Sequence, residues 1–229
     1  MPVAEQTWGN PAKASFMASS VGRKIVMAVT GVILTLFVLG HMLGNIQAYM
    51  GAETMNAYAK FLQGSLHGGG VWIARLVLLV VVLFHLWAAL SLTLSNHSAR
   101  PQGYRAQQLQ AASLSSRTMR YTGVLLACFI VYHLLHLTTG HANPGFVHGD
   151  AYGNLVRGFQ NPAAAIAYIV AMICLGLHLW HGVWSFTQTF GWAHPRYNFA
   201  RKAIATVIAA LVTVVNISFP ISVLLGIIR

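Results

Sequence analysis

"TGVILTLFVLGH", residues 30–41, and "TGVLLACFIVYH", residues 122–133, are two versions of one pattern. Each opens on Thr-Gly and ends on a histidine ten residues after the glycine, with an almost wholly apolar run between. A second pair follows the first: "HLWAALSL" from His85 and "HLWHGVWSF" from His178. The spacings agree, since 133 − 41 = 92 and 178 − 85 = 93. Two helix pairs of one kind therefore stand in tandem, and a parallel repeat of this sort implies a pseudo-two-fold axis along a membrane normal.

The composition demands a membrane. Of 229 residues 56% are hydrophobic and 7% charged, far below the roughly 25% charged residues of a soluble domain. Apolar segments at about 24–47, 71–95, 118–140, 163–190 and 203–228 are each long enough to cross a hydrocarbon core, which takes about 20 helical residues. The expected fold is an all-α integral membrane protein, a single domain over 1–229, with five transmembrane helices of which the first four form a histidine-bearing bundle. A polar arm (1–23) precedes them, and 48–70 and 141–162 read as loops rich in helix breakers.

The formal charge is +11, but Lys and Arg fall in short clusters between apolar runs, which argues against nucleic acid and for membrane topology. Lys13, Arg23, Lys24, Arg100, Arg105, Arg117, Arg120, Arg196, Arg201 and Lys202 share one side; Lys60, Arg75, Arg157 and Arg229 share the other. Ten against four places the N-terminus in the cytoplasm and, after five crossings, the C-terminus outside. Cys128 and Cys174 lie within apolar runs, without the C-x-x-C-H signature of covalently attached haem, and read as small buried hydrophobes.

An imidazole at membrane depth needs a partner. Segments one and three run in the same direction, so His41 and His133 match in depth, and so do His85 and His178. Two facing pairs at two depths are what the irons of two non-covalent b-type haems require. Gly31, Gly40, Gly44, Gly123, Gly176 and Gly182 remove side chains along the same segments, either for a porphyrin or for close helix packing. The H-x-x-H pairs His133/His136 and His178/His181 offer four ligands to zinc instead, but that leaves His41 and His85 without a role. A di-iron carboxylate site is disfavoured, because the only acids are Glu5, Glu53 and Asp150. His136 and His181 then read as groups that hydrogen-bond near a ligand. Trp72, Tyr121 and Trp192 read as interfacial anchors.

From "SSVGRK" at residue 19 to the end, with histidines on helices one to four and none on the fifth, the chain resembles the di-haem cytochrome b anchors of succinate:quinone oxidoreductases, of the single five-helix type. The stretch His178, Gly182, Trp184, Phe186 and the Thr-Gly pair before His133 are its more specific marks. The resemblance implies His85 and His178 as ligands of the haem nearer the cytoplasmic subunits, and His41 and His133 of the outer one. It implies a flavoprotein and an iron-sulfur protein as partners, membrane quinone (menaquinone) as co-substrate, surrounding lipid, and a bacterial cytoplasmic (inner) membrane. The enzyme is then the succinate dehydrogenase/fumarate reductase complex, whose dicarboxylate chemistry resides on a partner. For quinone, Tyr58, Gln63 and His67, with Lys60, offer donors at the outer end; Ser19, Ser20 and Arg23 offer them at the inner end. Some relatives place a glutamate near the helix-four ligand, whereas "MICLGLHLWHG" holds no acid. The alternatives are a di-haem b cytochrome of another kind, either a formate dehydrogenase or hydrogenase anchor or a b561-like carrier, and a proton-coupled transporter.

Overall fold

The computed structural model describes residues 16–98 and 114–229, and among these there are helices and turns but no strands. The described residues hold seven α-helices: α1 (Ser20–Asn45), α2 (Ala52–Gly64), α3 (Gly69–Ser98), α4 (Leu114–His133), α5 (Ala151–Phe159), α6 (Pro162–Thr189) and α7 (Asn198–Leu224). Five spans are long and apolar enough to cross a membrane, built on α1, α3, α4, α6 and α7, within a few residues of the ranges expected from hydropathy. Lys13, Arg100, Arg105 and most of the N-terminal arm lie outside the described residues.

Local chemistry sets the helix ends. The Ser19 hydroxyl accepts from the Gly22 amide to start α1. Asn161 does the same for Ala163 at α6, with Pro162 in the first helical position, where its missing N–H costs nothing. Between α2 and α3 the chain reverses through Leu66, His67 and Gly68, all at positive φ (51°, 54° and 87°), which separates a surface helix from a spanning one. After His133 the winding of α4 widens into a π turn over Leu134–Thr138, a local i→i+5 irregularity that recurs at functional sites.

The stretches expected to be loops are the main difference from the sequence reading, because each carries a helix. Helices α2 and α5 form a cap at the outer end, the end opposite the start of α1. Asn56 of α2 donates to Asp150 Oδ1 at 3.0 Å and accepts from the Tyr152 amide at 3.0 Å. Asp150 caps α5 and pairs with Arg157 at 2.9 Å. Beneath them Met55, Leu155, Val156, Phe159, Tyr168, Phe219 and Val223 make an apolar core.

In the bundle α1 packs against α3, α6 and α7, while α6 packs against α1, α4 and α7; α3 and α4 do not form a packed pair. Around the first four spans the order is therefore α3, α1, α6, α4. Helices α1 and α4 lie on one diagonal, α3 and α6 on the other.

Candidate functional site

Both diagonals carry a facing pair of imidazoles. His41 and His133 have ring centroids 5.8 Å apart with planes at 86°; His85 and His178 are 6.3 Å apart at 60°. The pairs lie at different depths. His85 contacts Thr30 and Gly31 of α1, and His41 stands ten residues further along that helix, about 15 Å at 1.5 Å per residue.

The inner pair is set by the same residue types in the two halves. The His85 Nδ1 atom lies 3.0 Å from the Thr30 hydroxyl, and His178 Nδ1 lies 3.4 Å from that of Thr122. A Cβ placed on Gly31 would meet His85 Cε1 at 3.5 Å and Nδ1 at 4.0 Å, and one on Gly123 would meet the same atoms of His178 at the same distances. The Thr-Gly pair that marks the repeat in sequence is thus its contact with the inner rings.

The outer pair is set differently. His133 Nδ1 lies 3.1 Å from the Tyr168 hydroxyl, and His136 Nδ1 lies 3.0 Å from that same oxygen. His136 is only 2% exposed, stacked on Tyr132 at 5.2 Å, with Gly158 so close that a Cβ there would meet its Cε1 at 2.7 Å. The rings of His41, His85, His133 and His178 all remain partly accessible. Of the two histidines in "YHLLHL", His133 therefore faces another helix's imidazole and His136 is sealed beneath the cap. By the His133 spacing the position matching His136 is Gly44 (136 − 92), and by the other spacing Leu43 (136 − 93). The first half has no counterpart of this ring. His181 matches buried Ala88 (181 − 93) and makes no hydrogen bond among the described residues.

A metal–imidazole bond of about 2.0 Å on each side, with each ring centre about 1.1 Å behind its nitrogen, separates two axial imidazole centroids by about 6 Å. The observed 5.8 and 6.3 Å fit that requirement. Zinc fits poorly, for no three His, Cys, Asp or Glu side chains among the described residues converge as a metal site.

The glycines divide between the two explanations. Gly176 lies against Thr213 of α7 and Gly44 against the Tyr58 ring, so both are helix-packing glycines. Gly40 has nothing within 4 Å, and Gly31 and Gly123 leave room beside the inner rings. Cys128 is exposed on the surface of its helix rather than buried.

Among the quinone candidates, Tyr58 reaches α1 at Gly44, one turn from His41. Gln63 and His67 are exposed; Gln63 lines a depression with Glu53, Asn56 and Lys60. Two of the three inner-end donors are engaged: Ser19 caps α1, and Arg23 donates to the Ser91 carbonyl and the Ser95 hydroxyl of α3, while Ser20 is exposed. Arg201 is likewise turned inward, donating to Thr187 and stacking 4.3 Å over Trp184, the tryptophan of the motif that begins at His178. Lys24, Arg117, Arg120, Arg196 and Lys202 are exposed, and Arg120 reaches His97 of α3 at 3.2 Å.

No match was found among curated proteins or among solved structures. The family model described as succinate dehydrogenase/fumarate reductase transmembrane subunit matches residues 93–217, from the end of α3 into α7, a stretch that holds His133 and His178 but neither His41 nor His85. With more than half of its length matched, the chain belongs to the succinate dehydrogenase/fumarate reductase transmembrane subunits and is a membrane anchor that associates with the other subunits of such a complex.

Proposed function

We propose that this anchor is a di-haem cytochrome b, passing electrons between an iron-sulfur subunit and membrane quinone, with His85 and His178 holding the inner haem and His41 and His133 the outer. The observation that carries this is the pair of crossed imidazole contacts, 6.3 and 5.8 Å between centroids, repeated by sequence at two depths. Bound there, haem supplies one-electron redox chemistry. The chain's own work is to aim four rings from four helices, two at each depth.

Quinone belongs at the outer end on this reading, with Tyr58 the candidate nearest His41; Gln63 and His67 stand further out. The supporting contrast is at the inner end, where Ser19 and Arg23 are spent within the chain and of the three candidates Ser20 alone stays exposed. The soluble flavoprotein and iron-sulfur subunits dock at the inner end, where Lys24, Arg117, Arg120, Arg196 and Lys202 present exposed positive charge. The ten-to-four asymmetry supports a cytoplasmic inner end. The same-family match separates this chain from formate dehydrogenase and hydrogenase anchors, and two haem-competent histidine pairs give no reason to prefer a transporter.

Pyridine haemochrome counting on the purified complex tests the reading. Two b haems per chain are expected, falling to one in His85→Leu and in His41→Leu. A colourless preparation with the subunits assembled would defeat it. Protease digestion of sealed vesicles tests orientation: an N-terminus cut only from the external face would reverse the topology.

A further inference from the structure

Two threonines stand where the inner rings need them. The Thr30 hydroxyl lies 2.7 Å from the Val26 carbonyl and 3.1 Å from that of Met27, and the Thr122 hydroxyl lies 3.2 Å from the Thr118 carbonyl and 3.1 Å from that of Met119. Both side chains are buried, at 7% and 5% exposure. A hydroxyl has one proton, and in each case a helical carbonyl takes it. What remains for the ring is a lone pair. The ring nitrogen opposite, Nδ1 at 3.0 Å for His85 and 3.4 Å for His178, must then be the one that carries hydrogen, and at His85 the Met27 backbone adds a second hydrogen-bond partner that likewise calls for an N–H. A neutral imidazole has a single N–H, so its free lone pair is on Nε2.

We propose that Thr30 and Thr122 are the positioning residues of the inner pair: each accepts the Nδ1–H of its histidine, fixing the ring in the tautomer whose Nε2 binds iron. This rests on the di-haem reading above. The equal distances from Gly31 and Gly123 to the two rings show that the setting is reproduced in both halves of the repeat, which a chance contact would not do. The outer pair has no such symmetry. Tyr168 serves His133 and His136 together, while His41 stacks on Phe37 at 5.5 Å and makes no hydrogen bond among the described residues. Hydrogen-bond acceptors behind a metal-bound imidazole make it a stronger donor and tune the metal without holding it.

Thr30→Val and Thr122→Val, singly and together in the assembled complex, remove the acceptors at nearly constant volume. Haem counting, redox titration and the low-temperature electron paramagnetic resonance of the ferric haems are the readouts. Two haems are expected to remain, with the inner midpoint potential raised, its g-values shifted and the outer haem unchanged; the double variant moves furthest, and Thr→Ser at both positions restores the wild-type values. Loss of the inner haem in the Val but not the Ser variants would equally support the proposal. An inner haem unaltered in the double Val variant overturns it and leaves the di-haem reading standing, as does loss of that haem in Val and Ser alike. Wild-type complex without haem overturns both.

Discussion

His133 and His136 stand one turn of helix apart and share the Tyr168 hydroxyl, but only His133 faces an imidazole of another helix. Replacing His133 with leucine removes one of two facing imidazoles, and a single ring does not hold a six-coordinate iron, so the outer haem should vanish from the pyridine haemochrome count. His136→Leu should retain two haems, because that ring is sealed under Gly158 and shares only a phenol with its neighbour; the outer potential is the quantity it should shift. The distinction was legible in the sequence, since only His133 stands ten residues after a Thr-Gly pair. Tyr168 was not. The residue at the matching place in the first half is Arg75 (168 − 93), so the repeat gives no hint of a shared hydroxyl. Asp150 acts at the same scale. Arg157 first, then the Gly153 amide and Asn56, hold its carboxyl below the usual carboxylate range. A carboxyl lowered in the folded state contributes stability that is complete above its unfolded value, about 3.9, and is lost as pH falls through the lowered one. Protection of the cap from proteolysis should therefore decline in acid below about pH 4, and Asp150→Asn should remove that dependence by starting from the weakened state.

At the scale of elements, hydropathy located all five spans, because bilayer thickness fixes their length and every backbone polar group must be satisfied within them. It missed α2 and α5. The segment "GDAYGNLVRGFQNP" (149–162) is full of residues that disfavour helix in isolation. It winds because Asp150 caps it and because Leu155, Val156 and Phe159 find the apolar floor supplied by Tyr168, Phe219 and Val223. Tertiary packing overrode propensity there; the local signals were the Asp150 cap and the helical spacing of Leu155, Val156 and Phe159, outweighed in a reading by the glycines around them. Glycine carried a similar ambiguity, resolved only by knowing which helix lies opposite. A methyl on Gly176 drives into Thr213 of α7; Gly176→Ala should destabilise the α6/α7 contact by about 1–3 kcal/mol, read as a lowered unfolding midpoint in detergent. Thr213→Ala in the same chain should recover most of the loss, which a general helix-propensity effect would not allow.

Among the described residues four spans stand around the imidazole pairs, with α7 outside them against α6 and α1. The tandem repeat foretold two pairs at two depths; which helices would be neighbours and which opposite lay beyond it, because equal spacing along a chain says nothing about the order of helices around an axis. That order is set by packing: α6 packs on α1, α4 and α7, while α3 and α4 are no packed pair and meet through Arg120 and His97.

Crossed diagonals have a consequence for how such a chain can be divided. Each facing pair takes one ring from the half before residue 99 and one from the half after 113. Neither half owns a complete site, and both sites are properties of the seam. Cut between the halves and produced as two polypeptides, the protein should form its pairs only when the pieces meet. Each fragment purified alone should be colourless, and their co-expression should restore two haems together, the outer and the inner appearing in one step. A fragment that binds a haem by itself would show that the pairing runs within a half rather than across it.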